Sequence, residues 1–318
     1  MTAPAIEIEK LTKEYPYGFL NLKKKTSLED LTMQVEAGEV FGFLGPNGAG
    51  KSTTIKLLMG LIFPTSGSAR LLGKPTTDIE MHRAIGYLPE QPYFYDYLTA
   101  AEVLDYFAKF YDLPAADRRE RVQRMLKKVG LETAGNIQLR KYSKGMLQRV
   151  GLAQAILHDP QLVILDEPMS GLDPVGRREV RDIILELKNA GKTILFSTHI
   201  LPDAEMLCDR VGVIVGGKLQ GVGAPGELVG VATHKMEILF SLAEIQSTVP
   251  LLAPASRIGD RYRLEIPEVE LYPALEQLRD AGAKILSVAQ VKPSLEEYFM
   301  HLVSADRAQA SAVEVSGK

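Results

Sequence analysis

The chain has a single cysteine, Cys208, among 318 residues. One thiol excludes an internal disulfide and a cysteine-based metal cluster, and it fits a reducing compartment. Long apolar runs are also missing. The stretch 57–63 is among the longest, and Pro64 ends it, well short of the roughly 18 residues of a membrane span. The first ten residues hold two glutamates and no apolar core, so they do not read as a secretory signal. No sign of charge dominates: 37 Lys and Arg stand against 40 Asp and Glu, a formal net charge of −3. That leaves no global basic field for nucleic acid. Neither an internal repeat nor a heptad run is visible. These absences argue against a secreted, membrane-spanning or fibrous protein and are silent on activity.

What is present is ordinary in bulk, 46% hydrophobic and 24% charged, as in soluble globular proteins. The length suggests about two domains. Alternating apolar and polar residues predict half-buried strands over 5–11 and 28–35, with a turn at Glu36-Ala37-Gly38. Residues 39–44 read as a strand buried on both faces, followed by a glycine-rich loop and a helix over 52–59. From about 99 to 158 the pattern turns helical, with helices over 100–111, 117–129 and 145–157. Strands over 162–165 and 193–197 then alternate with helices over 177–189 and 203–208. Gly216-Gly217 joins strands 211–215 and 218–222 as a hairpin. Strand alternating with helix predicts an α/β core with parallel strands. The pattern weakens over 223–234, which places a boundary there. Beyond it, strands over 236–240, 261–266 and 284–288 with a helix over 271–281 form a small α+β unit. An amphipathic helix over 294–302 follows, and residues 304–318 read as a disordered polar tail.

The strongest chemical signal is Gly45-Pro46-Asn47-Gly48-Ala49-Gly50-Lys51-Ser52. It matches the phosphate loop G-x-x-x-x-G-K-[ST], between the required strand and helix. Its glycines let the N–H groups of Asn47, Gly48, Ala49, Gly50 and the residues through Thr53 turn toward phosphate oxygens, and the helix N-terminus favours an anion. Lys51 is expected on the β/γ-phosphates of ATP and the Ser52 hydroxyl on Mg²⁺. A glycine-rich loop without a ligand has no need of Lys-Ser at that offset.

A second signal is the apolar strand 162–165 that delivers Asp166 and Glu167 at its C-terminal end, where open α/β sheets bind ligands. Asp166 is placed to hold Mg²⁺ and Glu167 to polarise an attacking water. On its own, Asp-Glu after a strand is usually a solvated turn; the phosphate loop raises the catalytic reading.

The third signal is Tyr142-Ser143-Lys144-Gly145-Met146, followed by Leu147-Gln148-Arg149. With the two motifs above, it resembles the signature of ATP-binding-cassette (ABC) ATPases, and the resemblance covers roughly 6–230. It implies an ABC-type phosphate-loop NTPase core over 1–230, with an antiparallel β subdomain and an α-helical subdomain at about 98–158. The accessory α+β domain over 235–303 and the tail follow. Gln91 resembles the Q-loop glutamine, expected to act in catalysis and to touch the metal. Asp173 in Gly171-Leu172-Asp173 resembles the D-loop, and His199 the switch histidine. Tyr15 resembles the aromatic that stacks on adenine, with Tyr17 or Phe19 as alternatives. Ser143 and Gly145 keep the positions expected to meet a γ-phosphate. Lys144 and Met146 depart from the consensus and are not expected to be ligands. The form Tyr-Ser-Lys-Gly-Met is similar to that of cassettes serving ABC-2-type exporters.

One copy of each motif implies a second chain, either a copy or a related ATPase, paired head to tail with two ATPs at the interface. The resemblance implies separate membrane (permease) subunits and a cytoplasmic protein peripheral on the inner face of the cell membrane. No nucleic-acid partner is expected. A cassette ATPase acting on ribosomes or DNA is the competing class, disfavoured by the single intact cassette. Three features stay open. The aromatic run from Pro92 to Tyr97 fits a core or a membrane-subunit contact. Lys23-Lys24-Lys25 fits a solvated loop or a contact with anionic lipid or partner. The segment from Lys292 to Phe299 resembles the end of the exporter ATPases' C-terminal extension, as a docking helix or a regulatory one.

Overall fold

The structure, a computed structural model, describes residues 3–17, 23–111, 114–229, 235–242, 255–291, 295–300 and 302–304. The chain divides into two compact units, Met1–Leu228 together with Phe299–Lys318, and Val229–Tyr298.

The larger unit opens with β1 (Ile6–Tyr17), β2 (Lys23–Val35), β3 (Val40–Leu44), α1 (Lys51–Leu58), β4 (Ser66–Leu71), β5 (Lys74–Pro75) and β6 (Ile85–Leu88). Three helices follow, α2 (Ala100–Ala108), α3 (Ala115–Lys128) and α4 (Lys144–Ile156). It closes with β7 (Leu162–Leu165), α5 (Pro174–Asn189), β8 (Thr193–Thr198), α6 (Leu201–Leu207), β9 (Arg210–Val215), β10 (Lys218–Gly223) and α7 (Pro225–Leu228). An antiparallel sheet has the order β2-β1-β4-β5, and a six-stranded sheet the order β10-β9-β3-β8-β7-β6. In the latter β9, β3, β8, β7 and β6 are mutually parallel, while β10 pairs antiparallel with β9.

The parallel strands are apolar throughout because both faces are covered. Phe41, Phe43, Leu162, Ile164 and Leu195 join one core with Ile6, Ile8 and Leu28 of the antiparallel sheet and Ile55 and Leu58 of α1. The alternate residues Val40, Val163, Leu165, Ile194 and Phe196 join the other core, with Val150 and Leu152 of α4 and Val180 and Ile184 of α5. Each such side chain contributes roughly 1.5–3 kcal/mol by burial. Helix starts follow local chemistry. Thr99 caps α2 in a reciprocal box with Glu102, Ser143 caps α4, and Asp173 caps α5 with Pro174 at its first turn.

The smaller unit holds β11 (Lys235–Ser241), β12 (Ser256–Ile258), β13 (Arg261–Pro267), α8 (Leu271–Asp280) and β14 (Lys284–Val291), with sheet order β12-β13-β11-β14. Ala274 and Leu278, one turn apart on α8, pack with Ile238, Phe240, Leu264 and Ile266. Residues 295–300 and 302–304 are helical. The expected tail from 305 onward and Lys292, Pro293 and Ser294 lie outside the described residues.

Candidate nucleotide-binding site

Sheet order assembles the site. Strands β3, β8, β7 and β6 lie side by side and parallel, so the loops at their C-terminal ends converge. β3 delivers the loop 45–50, β8 delivers His199, β7 delivers Asp166 and Glu167, and β6 delivers Gln91.

The loop after β3 turns into α1 through Gly50, whose φ of 110° lies in the left-handed region. A Cβ there would also sit 2.7 Å from the Ser27 carbonyl, so this position requires glycine on two counts. Lys51, the first residue of α1, folds back over the loop. Its Nζ donates to Gly45 O at 2.7 Å and Pro46 O at 3.2 Å, and lies 3.2 Å from Glu167 Oε1. α1 has no acidic residue in its first turn, which keeps its N-terminus favourable to an anion.

The acidic side is held as firmly. Ser197 Oγ donates to Asp166 Oδ1 at 2.6 Å and accepts from the Glu167 backbone N at 2.9 Å. Ser52 Oγ lies 3.3 Å from the same Asp166 oxygen. Glu167 has φ 49°, a conformation that costs a non-glycine residue about 1–3 kcal/mol and that concentrates at functional sites. His199 Nδ1 lies 2.8 Å from Glu167 Oε2, so the carboxylate is bracketed by His199 on one oxygen and Lys51 on the other. Burial, with the Asp166 charge as the smaller cause, pushes the pKa of the Tyr87 hydroxyl up to about 12.

A cleft of ≈ 730 Å³ opens over this array, lined by Tyr15, Asn47, Gly48, Gly50, Lys51, Ser52, Thr53 and Glu167 among others. Its size suits a nucleotide. Ser52 and Asp166 form the hydroxyl-plus-carboxylate oxygen set suited to Mg²⁺, which takes one or two protein oxygens and completes its shell with phosphate and water. Ala49, within the loop, is buried. Tyr15 lies at the cleft wall with Lys13 Nζ 5.2 Å from its ring centre. The Tyr17 side chain and Phe19 lie outside the described residues.

Other expected residues sit elsewhere. Ser143, Gly145 and Asp173 line a separate depression with Lys144, Arg149 and Gly171. Ser143 Oγ accepts from Met146 N at 3.2 Å, and Asp173 Oδ1 from Gly176 N at 2.8 Å. Gln91 is exposed and lines a third groove, while its neighbour Glu90 lines the phosphate cleft.

Several residues of the site carry no sequence signal. Lys25 lines the cleft and Lys24 pairs with Glu14 at 2.8 Å. The lysine run begins β2 rather than lying in a loop, while Lys24 and Lys25 are exposed as its solvated reading has them. Ser27 Oγ meets Thr53 Oγ1 at 2.9 Å. Gly217, expected only as a hairpin turn, donates its N–H to Ala49 O at 3.0 Å and so braces the phosphate loop. Tyr93, Tyr95 and Tyr97 are exposed by 91, 61 and 60%, which removes the core reading for these three; Phe94 alone packs inward.

Residues 28–170 match the family model described as ABC transporter. The chain is 43% identical over 94% of its length to an uncharacterised ABC transporter ATP-binding protein of Synechocystis sp., covering 84% of that protein. It is 40% identical over 70% of its length to a fluoroquinolones export ATP-binding protein of Mycobacterium tuberculosis, covering 72% of it. Among solved structures, a dimeric ATP-binding cassette in a post-hydrolysis state with ADP and Pi matches at TM-score 0.64 and 25% identity, over 69% of this chain and 98% of that one.

Proposed function

The chain belongs to the ABC transporter ATP-binding family, and on that premise we propose that it powers transport through membrane subunits encoded as separate chains. It binds and hydrolyses ATP as the cassette subunit. The observation that supports this reading best is the convergence of Lys51, Ser52, Asp166, Glu167 and His199 at the ends of adjacent parallel strands.

Lys51 moves its charge from Glu167 and the loop carbonyls to the β/γ-phosphates. Tyr15 stacks on the base, and the N–H groups from Asn47 to Thr53 bind the phosphates. Ser52 and Asp166 would hold Mg²⁺, with Gln91 reaching toward it from the loop after β6, and the bound ion would supply positive charge beside the phosphate oxygens. Glu167 accepts the proton of the attacking water at a carboxylate oxygen. His199 orients that carboxylate and contacts the γ-phosphate in the closed state.

Ser143 and Gly145 serve the nucleotide of a second cassette chain, a copy or a relative, in a head-to-tail pair with Asp173 at the interface. Their separation from the phosphate cleft of their own chain supports this arrangement, as does the dimeric state of the related cassette. Among the described residues no helix is long and apolar enough to cross a membrane. The chain works on the cytoplasmic face, docked on a permease through the exposed tyrosines beside Gln91. The fluoroquinolone-export relative supports outward transport of the ABC-2 type. Co-purification tests the assignment: recovery with a polytopic membrane protein is expected, and recovery with ribosomes or DNA alone contradicts it.

A further inference from the structure

Helix α4 carries a polar group that its surroundings do not satisfy. Gln148 is 2% exposed, and its Nε2 is buried without a hydrogen-bond partner among the described residues. A buried donor in that condition costs about 1–3 kcal/mol, and native structures retain few of them. Gln148 sits one turn beyond Lys144 and lines a groove of ≈ 320 Å³ with Glu90, Gln91, Pro92, Lys144 and Leu147. One wall of the groove is therefore α4, and the other is the loop leaving β6 that bears Gln91.

The base of the groove is pinned. A Cβ on Gly151 of α4 would come within 2.6 Å of Leu88 Cδ1 and 3.1 Å of Pro92 Cβ, so helix and loop root touch closely at a residue without a side chain. Above that point Glu90 and Gln91 are exposed. Gln91 faces the groove rather than the phosphate cleft that its neighbour Glu90 lines. Gln91 lines this groove while Ser52 lines the phosphate cleft, so on the assignment of Gln91 above the loop has to shift to bring it to a metal at Ser52 and Asp166.

We infer that Gln148 is a positioning residue for Gln91: its unpaired Nε2 donates to a main-chain carbonyl of residues 90–92 once the loop has shifted, and holds Gln91 in the phosphate cleft. This rests on the assignment of Gln91 above. The uncompensated amide raises the free energy of the nucleotide-free state, and the shift satisfies it. Removing the amide therefore has opposite effects on the two states, which a purely structural role does not produce.

The test replaces Gln148 in the full chain by Leu and, separately, by Met. We expect the nucleotide-free variants to melt a few degrees higher. We also expect kcat for ATP to fall roughly fivefold or more with KM within about twofold. Gln148→Glu, which puts an acceptor where the donor was, loses kcat to a similar extent without the gain in melting temperature. Lower melting temperatures, or kcat within about twofold of the unaltered chain for both apolar variants, overturn the inference. Gln91→Ala run in parallel separates the two ideas. A slow Gln91→Ala with a normal Gln148→Leu rejects the inference alone. A normal Gln91→Ala rejects the assignment of Gln91 and the inference with it.

Discussion

Lys51 and Glu167 face each other across 3.2 Å with their side chains only 5% and 8% exposed. On the proposed function the pair is a place-holder, in which Lys51 exchanges this carboxylate for phosphate when nucleotide enters. Removing one partner of a buried pair leaves an uncompensated charge and costs about 3–5 kcal/mol. Lys51→Ala is therefore expected to destabilise the nucleotide-free chain by about that much and to weaken ATP binding tenfold or more. Lys51→Ala combined with Glu167→Gln should recover most of the stability but none of the affinity. Urea unfolding and nucleotide titration of the four chains in the cycle check both parts.

Ser197 links the two carboxylate positions through one hydroxyl. Ser197→Ala leaves the Glu167 N–H and an Asp166 oxygen short of a partner in a buried site. A loss of about 1–3 kcal/mol of stability is expected, with turnover lowered because Asp166 is no longer fixed toward Ser52. Thermal unfolding and steady-state ATP hydrolysis measure the two effects; unchanged turnover removes the positioning role.

The His158 imidazole stacks on Tyr111 at 4.0 Å with the rings 2° from parallel, and Nε2 lies 3.1 Å from the Ile85 carbonyl. Burial pulls its pKa down from 6.5 to about 4. A depressed histidine contributes stability that is complete above about 6.5 and is lost as pH falls toward about 4. At pH 5 the loss amounts to about 2 kcal/mol. His158→Phe, which keeps a ring against Tyr111, should show a smaller drop in stability between pH 7 and pH 5 than the unaltered chain.

Ser143 caps α4 in the single chain, and the proposed head-to-tail pair gives it a second role on the partner's nucleotide. Ser143→Ala should cost about 1 kcal/mol of stability and leave the ATP affinity of the single chain unchanged. Turnover should fall by roughly tenfold or more, as for loss of a group that acts only in the transition state. A fall in single-chain affinity with normal turnover contradicts the head-to-tail pairing.

Much of the site was legible because its chemistry is local in sequence. The loop 45–52 and the carboxylates after β7 each announce themselves by composition next to a regular element, whereas the cap at Ser143 shows only in the structure. The strand over 162–165 was equally plain, since burial on both faces makes it wholly apolar. β4 escaped notice because Ser66, Gly67 and Ser68 are small and exposed, with only Ala69 and Leu71 buried; its pairing with β1 makes it a strand. β6 is four residues long, too short for periodicity to register. The parts played by Lys25, Ser27, Ser197 and Gly217 depend on which strands become neighbours. Ser197 reaches Asp166 only because β7 and β8 pair in parallel, and no spacing along the chain encodes that.

The central claim is that Glu167 drives hydrolysis in a site whose phosphate cradle does not need its carboxylate to bind ATP. The most direct measurement compares ATP binding and ATP turnover of the full chain with those of Glu167→Gln. The account predicts that the variant binds ATP at least as tightly, because Lys51 is released from its ion pair, while turnover falls by about a hundredfold or more. Turnover equal to that of the unaltered chain would contradict it.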